Sequence, residues 1–311
     1  MKKAVLFVGV FLVFLSHGFF AGAGEFAEAV SKGYVTPQWL KSHADAPGLI
    51  IVDVSFEKSH YEKGHIPGAV YVDWRRDLAD PDEKKYYRVV PKGGFENAMS
   101  RIGATPETML IFYDNRQNRM AIRALWVAAY YGHQKSAILE GGILEWKAAG
   151  NETNTELPEV NPTVYRATKV HSEMNVEKSY VKENLRNSDI LFVDSRSRKM
   201  YTGQAPGRLV HTGKKVARRG HLPGSVNIPW KENIDQKSRF LDKDTLSGIY
   251  LSAGHKEDKL VVFYCNEGLH AVFNWFVATR ILGFEKVKVY EGSMGEWADD
   301  PLLPMVSGVG F

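Results

Sequence analysis

The chain has 311 residues, 44% hydrophobic and 24% charged, which suits about two globular domains and excludes a wholly disordered chain. Its formal charge is +4, and loss of Lys2 and Lys3 with the leader described next leaves about +2, too weak a bias to suggest nucleic-acid binding. One cysteine, Cys265, excludes an intramolecular disulfide, a CxxC redox pair, a zinc ribbon and a cysteine-ligated iron–sulfur cluster.

In chain order, Lys2-Lys3 precede an apolar run from Ala4 to Leu15, and Phe19-Phe20-Ala21-Gly22-Ala23 offers an Ala-x-Ala cleavage pattern. Positive charge, apolar core and small residues follow one another as in a secretory signal peptide, here residues 1–23. The apolar run is short for a membrane span, and no later stretch reaches 18 apolar residues. The expectation is an exported chain without stable membrane insertion, which in a bacterium with this kind of signal means the periplasm.

Residues 30–150 and 168–305 then carry one series of segments twice. Leu49–Val54 and Ile190–Asp194 read as buried parallel strands, each apolar run reaching an Asp. Gly64-His-Ile-Pro-Gly-Ala-Val-Tyr-Val-Asp-Trp74 recurs as Gly220-His-Leu-Pro-Gly-Ser-Val-Asn-Ile-Pro-Trp230, a turn with Pro fixing φ and Gly tolerating a positive one. Met109–Tyr113 and Leu260–Tyr264 follow as second strands, then helices over Ala121–Tyr131 and Ala271–Leu282. Third strands, Ser136–Leu139 and Lys286–Tyr290, lead into Glu140-Gly141 and Glu291-Gly292 and amphipathic ends bearing Trp146 and Trp297. The alternation predicts an α/β fold of two tandem domains, each a parallel sheet flanked by helices. Residues 151–167, polar with two prolines, read as a linker.

Ligands of open α/β sheets bind beyond the C-terminal strand ends, and Cys265 stands there, opening the loop Cys265-Asn-Glu-Gly-Leu-His-Ala271. Backbone N–H groups of that loop and the following helix N-terminus are expected to face the sulfur and lower its pKa from about 8.5 into the ~3.5–7.5 range. Gly268 allows the loop to curl tightly. In the first copy Asp114 stands where Cys265 stands in the second. His65, His221, Asp53 and Asp194 occur in both copies, so scaffold roles suit them, and Asp194 with Arg196 reads as a structural ion pair more than one that shapes a pocket. A cysteine phosphatase needs Arg six residues after the cysteine, and Ala271 is there; a Gly-x-Ser-x-Gly elbow, a His-Glu-x-x-His helix and a Walker loop are absent from the sequence.

These residues resemble the rhodanese family, in the tandem-domain form of the thiosulfate/3-mercaptopyruvate sulfurtransferases. The resemblance runs from about Thr36 to Leu303, through Val52-Asp-Val-Ser-Phe56, both Gly-His-x-Pro-Gly motifs, Val193-Asp-Ser-Arg196, the Cys265 loop and both Glu-Gly…Glu-x-Trp endings. It implies ping-pong transfer of sulfane sulfur through a Cys265 persulfide, with no metal or organic cofactor. The donor it implies is thiosulfate, 3-mercaptopyruvate or a polysulfide or persulfide, and the acceptor a thiol, cyanide, sulfite or another protein. A persulfide carrier or redox-partner protein that does not turn over by itself is the alternative. The site residues implied are Cys265 as nucleophile, with Asn266, Glu267, Gly268, Leu269, His270 and Arg196 around the substrate.

The loop departs from the family's pattern, since Asn266, Glu267, Leu269 and His270 match neither the thiosulfate-type nor the mercaptopyruvate-type loop. Glu267 takes the place of the thiosulfate type's Lys, where a carboxylate is expected to repel a dianion. A second substrate-binding Arg of that type aligns with Met200, with Arg198 and Lys199 adjacent, so the expectation is weak thiosulfate activity or a different donor, such as a polysulfide or a persulfide. His270 reads equally as a proton donor or as a backbone-bonded loop residue. The insertion Arg198–Arg219 reads as a solvated basic loop or a cationic rim drawing in anions. Arg116 and Arg119, after Asp114, either face the cleft between the domains or offset Asp114.

Overall fold

The computed structural model describes residues 21–83 and 86–308, with side chains from residue 26 onward. The expected leader lies outside the described residues, apart from the backbone of residues 21–23. In the first half, β1 (Tyr34–Val35), β2 (Leu49–Asp53), β3 (Val70–Tyr71), β4 (Met109–Tyr113) and β5 (Ser136–Leu139) form a parallel sheet of order β1-β5-β4-β2-β3. The second half repeats it with β6 (Ile190–Asp194), β7 (Val226–Asn227), β8 (Leu260–Tyr264) and β9 (Val287–Val289), order β7-β6-β8-β9. A fifth place is marked by the parallel bridge between Asn175 and Val289, with the Val176 N–H donating to the Val289 carbonyl at 2.8 Å.

Register positions the loops. Asp53 pairs with Tyr113 and Asp194 with Tyr264, so Asp114 and Cys265 are the first residues beyond the two central strands. Every residue of β4 is buried, as a continuous apolar run in a helix-covered parallel sheet requires.

The first sheet is flanked by α1 (Ala21–Lys32), α2 (Pro37–His43), α3 (Lys58–Glu62), α4 (Lys92–Arg101), α5 (Arg119–Tyr130) and α6 (Gly142–Ala148). The second has α7 (Lys178–Asn184), α8 (Arg198–Tyr201), α9 (Lys243–Ser252), α10 (Leu269–Phe276) and α11 (Ser293–Trp297). The helices after the central strands begin two residues earlier than the sequence suggests. Asn118 and Gly268, at φ 64° and 86°, turn the chain straight from loop into α5 and α10. Beyond Phe276 the expected helix continues as a π-helical turn, Val277–Ile281.

Two segments depart from expectation. α1 lies mostly before residue 30, yet it buries Ala29 and packs Phe26 and Val30 on the first domain's core. Residues 151–167, read as a linker, are strapped onto the first domain. The strap exchanges backbone bonds between Asn154 and His65, its Glu156 carbonyl meets His65 Nε2 at 3.0 Å, Thr163 N–H donates to Ser100, and Tyr165 is fully buried. Buried polar backbone must find partners, and these contacts supply them.

The halves share a core. One apolar cluster runs from α4 and α5 through α10, with Leu125, Trp126 and Ala128 on one side and Val272, Phe273 and Phe276 on the other. Inside it lies the fully buried ion pair of Arg123 with Glu291, the guanidinium 4.8 Å from the Tyr87 ring centroid and 4.9 Å from that of Trp126.

Candidate active site

Cys265 leaves β8 with only 2% of its surface exposed. Its sulfur accepts from the backbone N–H groups of Glu267, His270 and Ala271, where the loop turns into α10. Gly268 makes the turn. Besides its φ of 86°, a Cβ there would stand 3.2 Å from Glu291 Cγ and 3.3 Å from the Glu291 carbonyl oxygen. The sequence led us to expect a depressed thiol pKa, and the reverse is found. Burial pushes the Cys265 thiol above its ordinary value, the three amides pull the other way, and the Glu267 charge adds a smaller upward push.

The first copy shows what the loop is built to hold. The Asp114 carboxylate accepts from Arg116 N–H at 2.6 Å and Asn118 N–H at 3.0 Å on one oxygen, and from Met120 N–H at 2.6 Å and Ala121 N–H at 3.1 Å on the other. Each loop is thus a cradle of backbone amides around one side chain, a carboxylate in one copy and a sulfur in the other.

Ser293 completes the second cradle and was not singled out from the sequence. It is a non-glycine residue at φ 53°, where the matched position of the first copy, 151 residues earlier, has Gly142 at φ 59°. Its Oγ accepts from Cys265 N–H at 3.0 Å and Gly268 N–H at 3.3 Å, and donates to the Tyr290 carbonyl at 2.8 Å. A side chain in this unfavourable backbone region is kept by what its hydroxyl holds. The Gly/Ser difference between otherwise matched Glu-Gly turns was the available signal.

The expected loop side chains are committed to holding the loop. Leu269 is 2% exposed in the shared core. Asn266 Nδ2 donates to the Arg208 carbonyl at 3.1 Å. The Glu267 carboxylate, expected to confront an anionic substrate, accepts from Val210 N–H and His211 Nδ1 and is 3% exposed. The insertion is therefore a strap across the Cys265 loop more than a free basic rim, although Lys214, Lys215 and Arg219 on it are exposed. Its Arg218 donates to the carbonyls of Trp297, Ala298, Asp300 and Leu303, tying down the C-terminal turn.

Arg196, placed around the substrate by the resemblance and read from the sequence as an ion-pair partner of Asp194, is 1% exposed and bonded to both Asp194 oxygens and to the Gly220 carbonyl. Its guanidinium joins β6 to the Gly-His-Leu-Pro-Gly turn, a scaffold role. The two motif histidines are also engaged with scaffold. His65 Nδ1 meets the Tyr61 carbonyl at 2.9 Å and His221 Nδ1 the Tyr201 carbonyl at 2.7 Å, each ring stacked on the same tyrosine.

His270 stacks on Trp230 with centroids 5.1 Å apart, and Arg119 Nη1 lies 3.4 Å from its Nε2. Burial, then the charges of Arg119 and Lys231, push its pKa down to about 3. The imidazole is neutral at physiological pH and accepts from Arg119, so it is no ready proton donor there. Arg119 is thus the member of the Arg116/Arg119 pair that faces the second domain, while Arg116 lies over the Phe56 ring at 4.1 Å.

The Rhodanese-like domain family profile matches this chain twice, over residues 36–149 and 177–300. A candidate thiosulfate sulfurtransferase of Mycobacterium tuberculosis, SseA, is 33% identical over 289 residues, spanning 91% of this chain and 93% of that one. The sulfur carrier protein TtuD of Thermus thermophilus is 29% identical over 277 residues, 88% of this chain and 96% of its own. Among solved structures, the anaerobic ergothioneine biosynthesis enzyme of Chlorobium limicola superposes with a TM-score of 0.77 at 22% identity. That superposition covers 89% of this chain and 71% of the enzyme, a likeness of fold.

Proposed function

The chain belongs to the rhodanese-like family, with two copies of the domain, and we propose that it is a sulfurtransferase in which Cys265 carries the transferred sulfur as a persulfide. The Cys265 thiolate attacks the sulfane sulfur of a donor. A new sulfur–sulfur bond forms at the cysteine, the donor's bond to that sulfur breaks, and its electron pair leaves with the remaining fragment. With thiosulfate the fragment is sulfite; with 3-mercaptopyruvate, whose sulfur is a thiol on carbon, the carbon–sulfur bond breaks and the fragment leaves as the enolate of pyruvate, which takes up a proton. An acceptor nucleophile then takes the terminal sulfur and returns the thiolate, cyanide leaving as thiocyanate. Thiosulfate, 3-mercaptopyruvate and polysulfide are the donors we infer, and a thiol, cyanide, sulfite or a protein thiol the acceptors.

The observation that carries this reading is the pair of matched cradles. A loop geometry that bonds a carboxyl group at Asp114 through four backbone amides surrounds a sulfur at Cys265, so a terminal persulfide anion would meet the same kind of donors. Relatives named for thiosulfate sulfurtransfer and for sulfur carriage support the same chemistry.

Intact mass of the purified chain after separate exposure to the three donors tests it, with Cys265→Ser as control. A gain of one sulfur, absent in Cys265→Ser, is expected, and repeated thiocyanate release with cyanide separates a turning-over enzyme from a carrier that loads once. No sulfur gained from any donor, with Cys265 still open to a small alkylator, would overturn it. We further propose export to the periplasm through residues 1–23. N-terminal sequencing of the chain from fractionated cells tests this, with a start at Gly24 in the periplasmic fraction expected and an intact cytoplasmic chain against it.

A further inference from the structure

The catalytic loop of this chain contains no cation, and Arg196 is fully engaged with Asp194 and Gly220. Two further cations approach the loop from elsewhere. Arg119 belongs to the first domain, 151 positions before His270, so the two occupy equivalent places in the two copies and meet where the copies face each other. Its Nε donates to the Arg116 carbonyl at 3.2 Å, its Nη1 approaches His270 Nε2 at 3.4 Å, and its guanidinium carbon lies 5.3 Å from the Trp230 ring centroid. Lys231 Nζ is 5.7 Å from the same ring.

None of these partners is an anion. Among the described residues, neither Arg119 nor Lys231 forms a salt bridge, and Asp114, the carboxylate nearest in sequence, already accepts four backbone bonds. A half-buried guanidinium held by a carbonyl, a neutral imidazole and an indole has lost water with no carboxylate bonded to it; the Asp114 charge acts on it without contact, and burial outweighs that attraction and lowers its pKa. The backbone N–H of His270, the residue it touches, points at Cys265 Sγ. An anion on Arg119 would therefore sit about one side chain from the nucleophile.

We propose that Arg119, from the copy without the cysteine, is the specificity-determining cation of the site, holding with Lys231 the oxyanion head group of the sulfur donor while its sulfane sulfur meets Cys265. This rests on the sulfurtransferase reading above. The head group is a sulfonate-like oxyanion, as in thiosulfate, or a carboxylate, as in 3-mercaptopyruvate; inorganic polysulfide has neither.

The test compares persulfide loading of the full chain, Arg119→Gln and Arg119→Lys with thiosulfate, 3-mercaptopyruvate and polysulfide. Arg119→Gln is expected to lower kcat/KM for the oxyanion donors, relative to polysulfide, by about tenfold or more, mainly through KM, as loss of a charge-assisted contact should. Arg119→Lys should recover part of that ratio by restoring the charge without the planar fork. The larger loss with thiosulfate or with 3-mercaptopyruvate identifies the head group. An equal fall for all three donors, or loading of the unmodified chain by polysulfide alone, would overturn the inference and leave persulfide chemistry standing. Loading by none of the three would instead fell the sulfurtransferase reading itself.

Discussion

Cys265 sits under two opposed influences, and their balance has a kinetic signature. Three amides favour its anion, but enclosure at 2% exposure wins and raises the thiol pKa. Iodoacetamide alkylation followed by mass spectrometry should therefore accelerate about tenfold per pH unit from pH 7 up to at least pH 8.5, since only the thiolate reacts. A plateau below pH 7 would show the amides to be dominant. His270 has the opposite history, buried as a neutral base. Its pKa falls from 6.5 to about 3 on folding, so between those values the unfolded chain binds the extra proton and folding stability declines as pH falls. Replacing His270 by Gln should reduce the loss of stability between pH 7.5 and pH 4, read from urea midpoints at each pH. An unchanged pH dependence would contradict a neutral, buried imidazole.

The Cys265 loop is positioned by neighbouring elements more than by its own side chains. Ser293, opening α11, holds the amides of Cys265 and Gly268, and the strap before Val216 holds Glu267 through Val210 and His211. Glu267→Ala leaves a backbone N–H and an imidazole without their partner, a cost of about 1–3 kcal/mol in denaturant unfolding. The same change removes a negative charge that raises the thiol pKa and loosens the cover, so Cys265 should alkylate faster at pH 7.5. Slower alkylation would mean that Glu267 shapes the cradle itself. Ser293→Gly keeps the backbone able to adopt φ 53° but deletes the hydroxyl, and should cost persulfide formation more than stability.

At the scale of the whole chain the domains are one folded unit. Their cluster is continuous, and Arg123 of α5 pairs with Glu291 beside the catalytic loop, both side chains at most 1% exposed. Breaking such a pair strands a charge in the core. Glu291→Ala should cost about 3–5 kcal/mol in a urea titration, whereas Arg123→Met with Glu291→Leu should cost markedly less, because no charge is left behind. A double variant as damaged as the single one would show that the pair does more than compensate charge.

The sequence by itself determined the duplication, the parallel α/β layers, the central strands and the place of Cys265 one residue beyond β8. These follow from local apolar runs, turn residues and repeated spacing, which depend little on distant parts of the chain. It also carried the substitution of Asp114 for a cysteine, though not its meaning as an anion in a matching cradle. Helix starts were missed by two residues because positive φ at Asn118 and Gly268 is a backbone state, and the strap of 151–167 because polar, proline-containing sequence looks alike whether free or docked. Only the tertiary structure decided which charges are available. Glu267 looked set to face the substrate by position, yet its carboxylate is taken up by His211, 56 residues away, while the pairing of Arg196 with Asp194 two residues before it was legible from the sequence. Arg119 shows the complementary case: facing the second domain set a cation against His270 and Trp230 with no carboxylate in contact. Whether a charge is compensated depends on which groups desolvate together, and for Glu267 and Arg119 that is settled by tertiary packing, within the second copy for one and between the copies for the other.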